Sequence, residues 1–100
     1  MLTFVRTAAI APGKLAEAMA FAQQAAKLVE KITGHKPSIN VPVGGNPFRI
    51  AFVTPYASLA ELETARTKLY ADPEYVKFID SSAGAFLPGS AHDEMWRSMS

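Results

Sequence analysis

Hydrophobic and polar positions alternate, then recur at helical spacing, then alternate again, and the cycle runs twice along the chain. Phe4 to Ile10 alternates with period two, Pro12 to Lys31 carries apolar residues three and four apart, and Ile39 to Val43 alternates. Phe48 to Val53 then alternates, Ser58 to Tyr70 has helical spacing, and His92 to Met99 alternates again. The tripeptide Leu-Ala-Glu recurs near the start of both long helical segments, at Leu15-Ala16-Glu17 and Leu59-Ala60-Glu61. This βαββαβ order predicts an α+β ferredoxin-like sandwich with a four-stranded antiparallel sheet. Such a fold hosts many unrelated activities, so the architecture does not name a function.

The local signals sharpen these elements. Leu2, Phe4, Arg6, Ala8 and Ile10 share one face of the first strand, and Thr3, Val5, Thr7 and Ala9 share the other. Pro12 suits the first position of the first helix, where its missing N–H costs nothing. Leu15, Ala18, Met19, Ala22, Ala25, Ala26, Val29 and Ile32 form its core stripe, with Phe21 and Leu28 at the edge. So many alanines allow a close approach to whatever the helix packs on. Gly34 is placed to end it in the left-handed conformation. Pro42 argues for an edge position or a bulge in the second strand, and Gly44-Gly45-Asn46-Pro47 reads as the turn of a hairpin. Ser58 and Glu61 have the spacing of a capping box. Asp72-Pro73-Glu74 starts a short third helix using Tyr75, Val76, Phe78 and Ile79, and Ser81 to Ser90 reads as a loop.

Composition narrows the classes. One hundred residues predict a single domain spanning 1–100. Hydrophobic residues make up 49% and charged residues 19%, more apolar surface than one small core hides. A formal net charge of +1 with scattered Lys and Arg gives no field for nucleic acid or anionic lipid. With no cysteine, disulfides and thiolate metal sites are excluded. The strand that begins at the N-terminus lacks the pattern of a signal peptide, and no apolar run approaches the roughly 20 residues that span a bilayer. A cytoplasmic protein is the expectation.

Candidate chemistry is sparse. His35 and His92 lie in no metal-binding spacing, so no metal site and no cofactor are expected. His92 and Asp93 are strand neighbours and point to opposite faces, which argues against their direct pairing. Glu94 lies between His92 and Trp96 on one face, the best candidate for a polar group in an apolar pocket, against a bland reading as exposed rim. Arg6 sits on an apolar face, where it needs a carboxylate, a dimer seam or an anionic ligand. Tyr56, Tyr70 and Tyr75 offer hydroxyls, although a buried tyrosine with a satisfied tip is the commoner role. The expected site is therefore His92, Glu94 and Trp96, with Arg6 and Tyr56 as secondary contributors. No dinucleotide, P-loop or hydrolase element is present.

Phe4-Val5-Arg6 followed by Pro12-Gly13-Lys14-Leu15, with the later Ala71-Asp72-Pro73-Glu74-Tyr75, resembles the NIPSNAP-like branch of the dimeric α/β-barrel proteins. The resemblance implies a homodimer whose two four-stranded sheets close one barrel with the helices outside. It carries over to Arg6, Pro12, Gly13 and Lys14 as structural positions only. The wider superfamily includes cofactor-independent monooxygenases, haem-degrading enzymes, lactone isomerases and members with no known activity. The haem-degrading branch uses an Asn, Trp and His set; here the first strand has no Asn and Trp96 lies on the last strand, so that activity is not transferred.

Apart from the resemblance, apolar residues on both faces of strands one and three predict a homodimer, because helices cover only one face. Three functional readings follow: a protein binding a small apolar or aromatic ligand between sheet and helices, a cofactor-independent monooxygenase or isomerase, and an interaction protein with no small ligand. A deep pocket with a polar base favours the first two; a filled core with an exposed edge strand favours the third.

Overall fold

The computed structural model describes residues 1–99. Its strands are β1 (Leu2–Ala9), β2 (Ser38–Asn40), β3 (Arg49–Tyr56) and β4 (His92–Arg97). Its helices are α1 (Leu15–Thr33), α2 (Leu59–Ala71) and α3 (Pro73–Ser81), with a 3₁₀ turn at Ala83–Ala85. The sheet order is β2-β3-β1-β4, antiparallel throughout. β1 and β2 therefore run parallel with β3 between them, as do β3 and β4 with β1 between them, and helices make both crossovers. This is the ferredoxin-like arrangement that the order of elements predicts.

Register decides which side chains meet. Leu2, Phe4, Arg6 and Ala8 lie opposite Tyr56, Thr54, Phe52 and Ile50, and these residues form the face toward the helices. Under α1, the small side chains of Ala18 and Ala22 let the helix settle onto Ile50, and all three are fully buried. At the other end Leu62 and Ala65 of α2 pack against Leu2 and Tyr56. The opposite face of the sheet carries Thr3, Val5 and Thr7 of β1, Ala51 and Val53 of β3, and His92, Glu94 and Trp96 of β4, with no helix over it.

Two boundaries and one cap show where the local signals of the sequence fall short. Pro12 and Gly13 form a turn rather than the first helical residues: Gly13 has φ +76°, which no α-helix accommodates, and the helix starts at Leu15. β2 is only three residues long, and Val41 and Val43 are exposed beyond it, because Pro42 has no N–H for a ladder. The capping box at α2 is half made. Ser58 Oγ accepts from the Glu61 N–H at 3.2 Å, while the Glu61 carboxylate meets His35 Nε2 at 2.9 Å.

Candidate functional site

α1, α2 and α3 do not fill the whole space above the sheet. A cavity of about 120 Å³ remains between them. Its floor is Phe4, Arg6, Phe52, Thr54 and Tyr56, and its walls include Ala25 and Val29 of α1, Leu62, Arg66 and Tyr70 of α2, and Tyr75 and Ile79 of α3. The apolar part follows from the helical stripes; Ala25 opens room that a larger residue would fill. α3 reaches the cavity because Asp72 fixes its start, its Oδ1 accepting from the N–H groups of Glu74 at 2.9 Å and Tyr75 at 3.1 Å. Phe21, also on the wall, stacks on Phe78 with ring centroids 4.9 Å apart and ties α1 to α3.

The polar groups gather at one end. Arg6 Nε and Nη2 donate to the two oxygens of Asp93 at 2.7 and 2.9 Å, a two-pronged pair across β1 and β4. That pair supplies the carboxylate Arg6 requires on this face. Hydrogen bonding to Asp93 raises the Arg6 value further, and the guanidinium in turn holds the Asp93 carboxyl below the usual carboxylate range. Arg66 lies over the same ring as Arg6, with the guanidinium carbons 5.9 and 5.6 Å from the Phe4 centroid. Burial works to raise Tyr70, but hydrogen bonding and charge from Arg6 and then Arg66 outweigh it, so its phenol lies below the ordinary tyrosine value. Tyr75 and Tyr56 go the other way, pushed up by burial. Tyr70 and Tyr75 meet edge to face at 6.2 Å, and His35 tilts against Tyr56 at 4.7 Å.

The expected site residues divide between the two faces of the sheet. Arg6 and Tyr56 line the cavity. His92, Glu94 and Trp96 do not: they lie opposite Thr7, Val5 and Thr3, on the face without helices. The reason is parity. Asp93, not its neighbours, shares the face of Arg6, and the odd and even residues of β4 part accordingly. The three do form one hydrogen-bonded group, in which Glu94 Oε2 lies 3.1 Å from His92 Nε2 and Oε1 accepts from Trp96 Nε1 at 3.1 Å. Trp96 remains 62% exposed. Asp93, as the partner of Arg6, and Arg66, as a cavity residue, were the groups the sequence did not single out for the site. The need of Arg6 for an acid was the only available signal for the first. The helical spacing of Ser58 to Tyr70 places Arg66 on a helix but could not show a cavity beneath it. Among the described residues no group of three or more His, Asp or Glu is placed to hold a metal ion. None of the described helices is long and apolar enough to cross a membrane.

No protein-family model matches the chain, and no curated protein matches it. Solved structures do. The molecule has the ferredoxin-like fold seen in NIPSNAP-family proteins and in proteins assigned to antibiotic biosynthesis monooxygenases. An uncharacterised NIPSNAP domain protein from Burkholderia xenovorans superposes with a TM-score of 0.83 at 19% identity, over 98% of this chain and 94% of that one. A NIPSNAP family protein from Agrobacterium tumefaciens gives 0.79 at 21% identity, over 96% and 90%. A Nitrosomonas europaea protein, provisionally described as an antibiotic biosynthesis monooxygenase, gives 0.74 at 11% identity over the full length of both chains.

Proposed function

We propose that this chain is a homodimeric protein that binds a small apolar or aromatic ligand in the cavity between the sheet and the helices. The observation that carries the ligand is the cavity itself: an apolar chamber of about 120 Å³ with arginine and tyrosine groups converging at one end. Ligand sites have that composition, mostly apolar wall with a few placed polar groups. Filling the chamber tests it. Ala25→Leu adds volume at a wall residue; the expected result is loss of the thermal stabilisation that toluene is expected to give the parent protein, with the unliganded melting temperature changed little. Equal stabilisation of both proteins would place the ligand elsewhere.

The homodimer rests on the uncovered face. Val5 and Val53 are cross-strand partners there, beside Ala51 and Trp96, and only a second layer would remove them from water. A second copy of the chain, sheet against sheet, is the covering layer. His92, Glu94 and Trp96 then belong to the dimer face.

A second reading, a cofactor-independent monooxygenase, is favoured by one feature of the cavity. Tyr70 is a phenol held toward ionisation by two guanidiniums at the polar end, where a reacting oxygen would be steadied. The likeness to the Nitrosomonas protein agrees with it at the level of fold. Oxygen uptake in the presence of a bound aromatic would support this reading; binding without uptake leaves the chain a binding protein.

A further inference from the structure

We infer, building on the ligand site proposed above, that the cavity takes a single-ring aromatic carboxylate, with Arg66 as the main partner of the acid group.

Size sets the ring count. Buried apolar cavities of about 150 Å³ hold one benzene molecule. A chamber of about 120 Å³, with the exposed Arg66 and Tyr70 on its lining, therefore accepts one ring with its substituent projecting toward them, and fused rings exceed it. Phe4, Phe52 and Tyr75 present flat surfaces to such a ring.

Charge sets the substituent. Two guanidiniums, Arg6 and Arg66, line the cavity and no carboxylate among the described residues does; Asp93 beside it pairs with Arg6, and Glu61 near Tyr56 pairs with His35, which leaves Arg66 without an acidic partner. Both oxygens of Asp93 are taken by Arg6. Among the described residues Arg66 has no carboxylate within 4.0 Å; its guanidinium lies 5.9 Å from the centroid of the Phe4 ring. Two cations held near one aromatic ring repel one another, and an anion placed between them would relieve this.

Hydrogen-bonding capacity points the same way. Arg66 offers only donors, and the phenols of Tyr70 and Tyr75 can donate as well. A carboxylate accepts at both oxygens and matches the planar guanidinium in two-pronged fashion. An amine would meet repulsion, and a neutral alcohol would make no ion pair with Arg66. The guanidinium is at the surface of α2, so the acid group sits at the cavity mouth and the ring lies within.

Benzoate and benzyl alcohol separate these claims, because they share a ring and differ in the charge of the substituent. Their dissociation constants would be measured by NMR titration for the parent protein, Arg66→Gln and Arg66→Lys. The parent is expected to bind benzoate at least ~10-fold more tightly than benzyl alcohol, the scale of one charge-assisted contact. Arg66→Gln should abolish that preference and leave benzyl alcohol within about twofold, while Arg66→Lys, a point charge without the fork, should keep part of it. Benzyl alcohol binding as tightly as benzoate, with both shifting cavity residues, would overturn the carboxylate assignment and leave the ligand site standing. A preference unaltered in Arg66→Gln would overturn the role of Arg66. Failure of both probes to shift any cavity residue would overturn the assignment together with the site.

Discussion

Arg6 shows how one side chain ties the site to the stability of the fold. It stands on the apolar face of β1, and Asp93 across the strand pair makes that position tolerable. Asp93→Asn should cost about 1 kcal/mol in chemical denaturation, less than a buried charged hydrogen bond, because the two side chains remain 32% and 35% exposed. The pH dependence has a definite sign. The folded-state value of Asp93 is depressed, so its contribution is complete above the ordinary carboxylate value of about 4 and is lost as pH falls through the lower, folded value. The stability gap between the parent and Asp93→Asn should accordingly narrow only under acid. A gap unchanged from pH 7 to pH 2 would show that the pair does not set it. From the sequence, the requirement for an acid near Arg6 was legible and the identity of that acid was not. Alternation gives each residue a face, but pairing β1 with β4 spans most of the chain, and register between distant strands is fixed only by the assembled sheet.

At the scale of elements, caps and turns carried the clearest local information. Gly34 ends α1 at φ +80°, its N–H bonded to the Glu30 carbonyl at 2.8 Å, and a Cβ there would meet nothing within 4 Å. The cost of Gly34→Ala is therefore purely that of the left-handed backbone, about 1 kcal/mol by thermal or chemical melting. A loss above about 3 kcal/mol would mean that Gly34 does something other than cap. Asp72→Ala should also cost about 1 kcal/mol, and it should weaken ligand binding, because Asp72 seats the helix that brings Tyr75 and Ile79 to the cavity. The sequence misled where two rules compete. Pro12 fits a first helical position, yet Gly13 beside it takes a conformation closed to helices. Val41 and Val43 alternate as a strand would, yet Pro42 between them cannot join a ladder.

For the whole molecule, the sheet has one face under three helices and one face bare, and the proposed dimer uses the second. Val53→Asp places a charge in the middle of the bare face and should give a monomer by analytical ultracentrifugation, where the parent is expected to sediment as a dimer. Trp96→Ala should weaken the dimer without changing ligand affinity, since Trp96 lies across the sheet from the cavity. Fold class was readable because hydrophobic period and element order are properties of the linear chain. The cavity was not, because a void is what three helices leave unfilled, and no residue encodes it alone. Methyl-selective NMR during titration with toluene tests the ligand site most directly, because the two faces carry different reporters. Leu62, Val29 and Ile79 line the cavity, whereas Val5 and Val53 lie on the bare face. The account predicts saturable shifts in the first three with Val5 and Val53 unmoved; shifts confined to Val5 and Val53, or none at all, would contradict it.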